Sequence, residues 1–229
     1  MQRQGNDLGG AAGPVAPRPL PRTEQGRRTR AAIIRAAGDL MYRQGVAGTG
    51  LDQVLEASGA GKSQLYHYFK NKQGLTEAVI DWHLEHTLAL QPHLTALETW
   101  ADFESWAEEF VALRLGPSGP HACPLGKLAG ELDGDDALRG QLEAAYTTWE
   151  SHLARGLTKL RQRGELHPEA DPARLARAVM AAIQGGIMMA RLHDDATPLR
   201  DAVAMAMRHL DACRVRRTAD TERREDAAG

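Results

Sequence analysis

The sequence predicts an all-α protein: an N-terminal three-helix unit carrying a helix-turn-helix, followed by a larger helical body. Three observations predict it. Apolar residues recur at three- and four-residue spacing through most of the chain, as on one face of a helix. No segment sustains the apolar/polar alternation of a strand, so no sheet is expected. Two short helical stretches meet at Ser58-Gly59-Ala60-Gly61, a joint whose glycines suit a tight interhelical turn.

Before the first helix, residues 1–26 carry Gly5, Gly9, Gly10, Gly13, Pro14, Pro17, Pro19 and Pro21 and few large apolar side chains. Such a composition cannot offset its own ordering entropy, so a disordered tail is expected there. Ile33, Ala37, Leu40 and Met41 then form a helical stripe that stops at Gly45. Leu51, Val54 and Leu55 mark a short second helix and Lys62–Phe69 a third. This unit is bounded at 27–72.

The body, 73–213, opens with a long helix through Leu75, Val79, Leu84 and Leu88 that Pro92 ends or kinks. Trp100, Phe103, Trp106 and Phe110 lie on one face of the next, and Gly116-Pro117-Ser118-Gly119-Pro120 is a loop. Asp135-Asp136 starts a helix whose apolar face runs from Leu142 through Tyr146, Trp149, Leu153 and Leu157 to Leu160, stopping at Gly164. Asp171-Pro172 supplies an N-cap and a first-turn proline for the following helix, and Leu199, Val203, Met207 and Leu210 mark the last. Residues 214–229 read as a charged tail.

Charge divides along the chain. Between Arg22 and Lys72 nine Lys/Arg face four Asp/Glu, a net of +5, whereas from Gln73 onward the net is −8. A basic module on an acidic remainder is the distribution of a head that binds a polyanion. Within it, Leu65 and Phe69 point inward, leaving Lys62, Ser63, Tyr66 and His67 outward, all able to hydrogen-bond. That helix suits entry into a DNA major groove, with Lys70 and Lys72 placed to clamp the phosphate backbone.

Two residue patterns point elsewhere. Gly59-Ala60-Gly61-Lys62-Ser63 ends like a phosphate-binding loop, which would make the chain a nucleotide-using enzyme acting through Lys62. That motif requires a glycine where Glu56 stands and a strand before it, where a helix is expected. His83 and His86 have helical spacing for a metal, with His93 seven residues on, but no nearby carboxylate or thiol completes the set. No metal, no cofactor and no catalytic residue is expected. The two cysteines, Cys123 and Cys213, form no disulfide framework; Cys123, before Pro124 in a Gly/Pro-rich stretch, is expected to be a silent thiol, with an accessible, sensing thiol as the alternative. The longest apolar run, Ala178–Ala190, is interrupted by Gln184 and is shorter than the roughly 20 residues that span a bilayer. With no apolar leader segment either, a soluble cytoplasmic protein without membrane contact is expected.

The stretch Thr49-Gly50-Leu51-Asp52-Gln53-Val54-Leu55, then Ser58-Gly59-Ala60-Gly61-Lys62-Ser63-Gln64-Leu65-Tyr66-His67-Tyr68-Phe69-Lys70-Asn71-Lys72, resembles the DNA-binding signature of the TetR family. The preceding Ile33–Gly45 resembles that family's first helix. Met41 and Val46 stand where the family usually has aromatics, and Gly50 and Gly61 where it has capping hydroxyls. The resemblance implies that Lys62, Ser63 and Tyr66 read bases, and that Arg28, Thr29, Thr49, Gln64, His67 and Lys72 lie against phosphates. It also implies a homodimer formed through residues 171–212, a palindromic double-stranded DNA operator and a small-molecule effector. Trp106, Phe110, Tyr146, Trp149, Gln184 and Met188 are the candidates for an effector pocket, with His152 as a further polar group, and an apolar or amphipathic molecule is expected in it. The function so implied is a repressor that releases its operator on binding the effector; a DNA-binding protein without an effector is the remaining alternative.

Overall fold

Helix α1 (Glu24–Gly48) starts where the Thr23 hydroxyl accepts the Gly26 amide at 3.1 Å. The architecture is that of a computed structural model, which describes residues 21–116, 119–131 and 135–215. Residues 24–26, expected in the tail, are therefore helical, because a threonine cap precedes them. Residues 21–23 of that tail precede the helix without regular structure, and residues 1–20 lie outside the described residues.

The helical path of α1 breaks at Gly45, whose φ of 81° and ψ of 165° only glycine adopts readily. Helices α2 (Leu51–Ser58), α3 (Lys62–Phe69) and α4 (Lys72–Ala89) follow. Ile33, Ile34, Ala37 and Met41 of α1 pack with Val54, Leu65, Phe69 and with Leu75, Ala78 and Val79 of α4. The core of the head thus continues into α4, past the expected boundary at residue 72. Asn71 caps that helix, its Oδ1 accepting from the Gly74 amide at 2.8 Å.

The body holds α5 (Pro92–Thr95), α6 (Trp100–Arg114), α7 (Pro124–Ala129), α8 (Asp136–Gln162), α9 (Pro172–His193) and α10 (Thr197–Ala212). The expected caps are in place: Asp135 accepts from the Leu138 amide and Asp171 from those of Ala173 and Arg174. Strands β1 (Leu115–Gly116) and β2 (Gly119–Pro120) pair antiparallel over two residues each. This clip closes a loop and has no face to bury, so the fold is all-α. Phe103, Trp106, Phe110 and Trp149 fill the body's core. The Trp106 indole donates to Gln91 Oε1 at 3.1 Å, and Gln91 Nε2 donates to the Thr87 carbonyl at 2.9 Å, so that buried amide is satisfied.

Residues 214 and 215, expected in the charged tail, belong to the body. The Val215 amide donates to the Glu165 carbonyl at 2.9 Å, and the Arg214 guanidinium lies 4.5 Å from the Trp100 ring centroid. Residues 216–229 lie outside the described residues. By length and composition α9 meets the requirement of a membrane-crossing helix. One face of it, with Leu175, Val179, Ile183 and Ile187, is buried in the body's core. Gly186 lets α10 approach: a Cβ there would stand 2.7 Å from that of Ala202.

Head and body meet where α1 crosses α4. Gly38 permits the contact, since a Cβ would lie 2.7 Å from the Trp82 ring. Beside it His83 is buried, its pKa pushed down to about 4 by burial and, secondarily, by His86. Unfolded, His83 takes up a proton near 6.5; folded, only near 4. Protonation therefore favours the unfolded chain, and the contribution of His83 to stability is lost as pH falls between those values. Urea unfolding of wild type and His83→Phe at pH 7, 6 and 5 is expected to differ in slope by up to about 1.4 kcal/mol per pH unit. Identical slopes would refute the assignment.

Candidate nucleic-acid interface and body cavity

The α2–α3 joint is built from glycines with different tasks. Gly59 is left-handed, with φ 67° and ψ 13°, and its amide donates to the Leu55 carbonyl at 3.0 Å. Gly61 precedes α3 and has no capping hydroxyl to offer. Gln64 reaches back instead, its Oε1 accepting the Gly61 amide at 2.9 Å, and Gln53 does the same for Gly50 at 2.9 Å. Half of each capping box is thus kept although the N-cap is glycine.

Leu65 and Phe69 seat α3 in the head, and Arg30 stacks 5.4 Å from the Phe69 centroid. Lys62, Ser63, Gln64, Tyr66 and His67 are exposed, and Tyr66 is the large apolar side chain that α3 leaves outside, 44% exposed. Tyr68 is half-buried against the head's core. At the flank of α3, Lys72 Nζ lies 3.4 Å from the Ala47 carbonyl beside the α1–α2 turn. On α1, exposed Arg28 pairs with Glu24 at 3.0 Å, and the half-buried Thr29 hydroxyl donates to the Gln25 carbonyl. A pair this exposed is weak and can exchange for a phosphate.

Thr49 corrects the expected phosphate set. It is 1% exposed, and its hydroxyl donates to the Gly45 carbonyl at 2.7 Å while its amide donates to Val46. Both donors are spent on closing the α1–α2 turn, so Thr49 holds the head together and offers nothing to a ligand. The nucleotide-loop alternative also lacks its scaffold, since the segment before Gly59 is helix α2 and not a strand.

In the body, a cavity of about 870 Å³ opens between α7, α8 and α9. Tyr146, Gln184 and Met188 of the expected pocket line it. Trp106, Phe110 and Trp149 do not; they are the packed core, each at most 1% exposed, because an aromatic stripe at helical spacing is what a helix buries against its neighbours. His152 lies elsewhere, with Nδ1 2.7 Å from Arg155. Cys123 is 2% exposed, against the alternative of an accessible thiol. Its sulfur lines the same cavity and accepts from Gln184 Nε2 at 3.6 Å. Burial, followed by the nearby Cys123, pushes the Tyr146 phenol up, so it stays neutral and able to donate. Gly126 draws the group together: a Cβ there would stand 2.9 Å from Gln184 Oε1. Lys127, absent from the expected set, also lines the cavity and donates to the Tyr42 carbonyl on α1. Its signal in the sequence is slight, a lysine following the small Gly126.

Comparison with known proteins sets this geometry among relatives. Residues 33–79 match the model for bacterial regulatory proteins of the tetR family, and residues 103–206 match the tetracyclin repressor-like C-terminal domain. An HTH-type transcriptional regulator from the lacX 3' region of Lactococcus lactis is 30% identical over 179 residues, 74% of this chain and 86% of that one. The transcriptional regulator AcuR of Cereibacter sphaeroides is 28% identical, over 78% of this chain and 84% of its own. A crystal structure of a TetR transcriptional regulator from Chloroflexus aurantiacus superposes with a TM-score of 0.72 at 26% identity, covering 84% of this chain and 98% of that one.

Proposed function

The chain belongs to the TetR family of ligand-responsive, DNA-binding transcriptional regulators, and from that premise we propose that it is a homodimeric repressor of a palindromic operator. The observation that carries the DNA reading is an α3 whose Lys62, Ser63 and Tyr66 face outward from a packed head. Lys62, Ser63 and Tyr66 contact base edges; Arg28, Thr29, Gln64, His67 and Lys72 contact phosphates. The protein acts by binding rather than by catalysis, and in the cytoplasm.

A palindrome requires a twofold partner, and α9 and α10 offer the surface. Met188, Met189, Leu192 and Met205 are exposed along these two helices, Met188 by 63% and Leu192 by 73%. Thioether and leucine side chains clustered on adjacent helices favour a covered, four-helix seam over a free surface. Gly185 lies on this side with nothing within 4 Å of its Cβ position, and because Gly185, Met188 and Leu192 also border the 870 Å³ cavity, a mate's helix packed here forms the outer wall of that cavity.

The effector is a small, mostly apolar molecule in the 870 Å³ cavity, oriented by Tyr146 and Gln184 against Met188. The cavity touches the head through Lys127 and Tyr42, so an occupant that moves α7 moves α1. Binding then biases the separation of the two reading heads, and operator and effector weaken each other's affinity.

Selecting bound fragments from a random duplex library, with light scattering of the free protein, tests this reading. A twofold-symmetric consensus and a dimer at micromolar concentration are expected, with Leu192→Asp/Met205→Asp shifting the protein to monomer. A wild-type monomer, or no enrichment at low ionic strength, would overturn it.

A further inference from the structure

A second cavity, of about 260 Å³, lies where α1 of the head meets α4, α6 and the segment leading into α7. Arg114, the last residue of α6, lines it. The side chain is 93% buried, at 7% exposure, yet among the described residues it has neither an ion pair nor a side-chain hydrogen bond. Its Nε is fully buried without a partner, and the guanidinium carbon sits 5.5 Å from the Phe110 ring centroid. Burying a guanidinium with no counter-charge is costly, and structures retain such a group where something else supplies the partner.

The other groups facing this space define the partner. Among the described residues Arg114 is its only Lys or Arg. His83 is held neutral, His86 stacks on Trp82 with centroids 5.6 Å apart, and His121 and Asp39 lie on exposed parts of the wall. The Tyr42 hydroxyl is occupied by the Ala122 carbonyl at 3.4 Å. One buried positive charge matches one negative charge, and a guanidinium fork matches the two oxygens of a carboxylate. A dianion would bring a second charge with no cation to meet it and with Asp39 opposing. Trp82, Leu90, Leu113 and Pro124 complete the wall with apolar surface suited to a short hydrocarbon tail. The volume admits about eight water-sized groups.

We propose that this cavity binds a small organic monocarboxylate, whose two oxygens pair with the Arg114 guanidinium while its tail packs against Trp82 and Leu113. The site adjoins the larger cavity of α7, α8 and α9: Ala122 lines both, and the Arg114 charge acts on the Tyr146 phenol of the larger one. It touches α1 and α4 together, so its occupant bridges head and body.

Thermal shift and calorimetric titration of the full chain at matched ionic strength test the proposal, with butyrate and benzoate against butyramide, benzamide and inorganic phosphate. The carboxylates are expected to bind saturably and raise the melting temperature, their amides to bind at least tenfold more weakly, and phosphate to add no shift. Arg114→Gln should abolish the carboxylate response, and Arg114→Lys should weaken it. Equal binding of acid and amide, a response to phosphate alone, no binding at millimolar carboxylate, or an undiminished response in a folded Arg114→Gln would each overturn it. The contrast between acid and amide uses wild-type protein, so it stands even if the variants do not fold.

Discussion

Tyr66→Ala is expected to lower affinity for the selected operator about tenfold or more, the worth of one base-edge contact, while leaving the melting temperature where it was. The position of the ring sets both outcomes. It stands on the outer face of α3, 44% exposed, and supports none of the head's core, which Leu65 and Phe69 supply from the opposite face. Truncation therefore removes contact area from the DNA side and little from the fold. The companion measurement is Lys72→Ala, whose ammonium lies beside the α1–α2 turn. It should weaken all duplexes alike and reduce the slope of log affinity against log salt by about 0.9. Base and phosphate contacts are so distinguished: Tyr66→Ala changes discrimination between operator and random duplex, and Lys72→Ala lowers affinity and salt dependence without changing that discrimination. Binding that neither variant alters would remove α3 from the interface.

The head was legible in the sequence because its information is local. Inward Leu65 and Phe69, the glycine joint and the stop at Gly45 are all set within a few residues of the groups they position. Thr49 was set against phosphate by the family resemblance alone, and only the turn at Gly45 shows that its hydroxyl closes inward. The body cavity was half legible. Tyr146, Gln184 and Met188 reach it, whereas Trp106, Phe110 and Trp149 differ from them only by the rotation of long helices, which no periodicity fixes. Arg114 was illegible altogether. An arginine ending a helix is ordinarily solvated and favoured by the helix dipole, and its burial depends on α4 and the α7 segment closing over it. Two of the surfaces around it, from α1 and α4, come from segments more than 20 residues away in sequence.

Gly45→Ala should be costlier than any surface change, destabilising the protein by about 2–4 kcal/mol and loosening the head from the body. Two effects combine there. At φ 81° and ψ 165° an alanine is strained in any surroundings, by roughly 1–3 kcal/mol. Its methyl would also stand 2.5 Å from Glu131 Oε2, the same oxygen that accepts the Val46 amide at 2.7 Å. The carboxylate follows α7 and reaches the turn that aims α2, so displacing it severs a contact between the body and the reading head. Glu131→Ala separates the two effects. In that background Gly45→Ala should keep the conformational cost and lose the steric one, so the double variant is more stable than the sum of the singles predicts. Urea unfolding of the four proteins measures the coupling. Strict additivity would mean that Glu131 does not seat on this turn, and a Gly45→Ala protein as stable as wild type would mean that the chain does not pass through residue 45 in a conformation reserved for glycine.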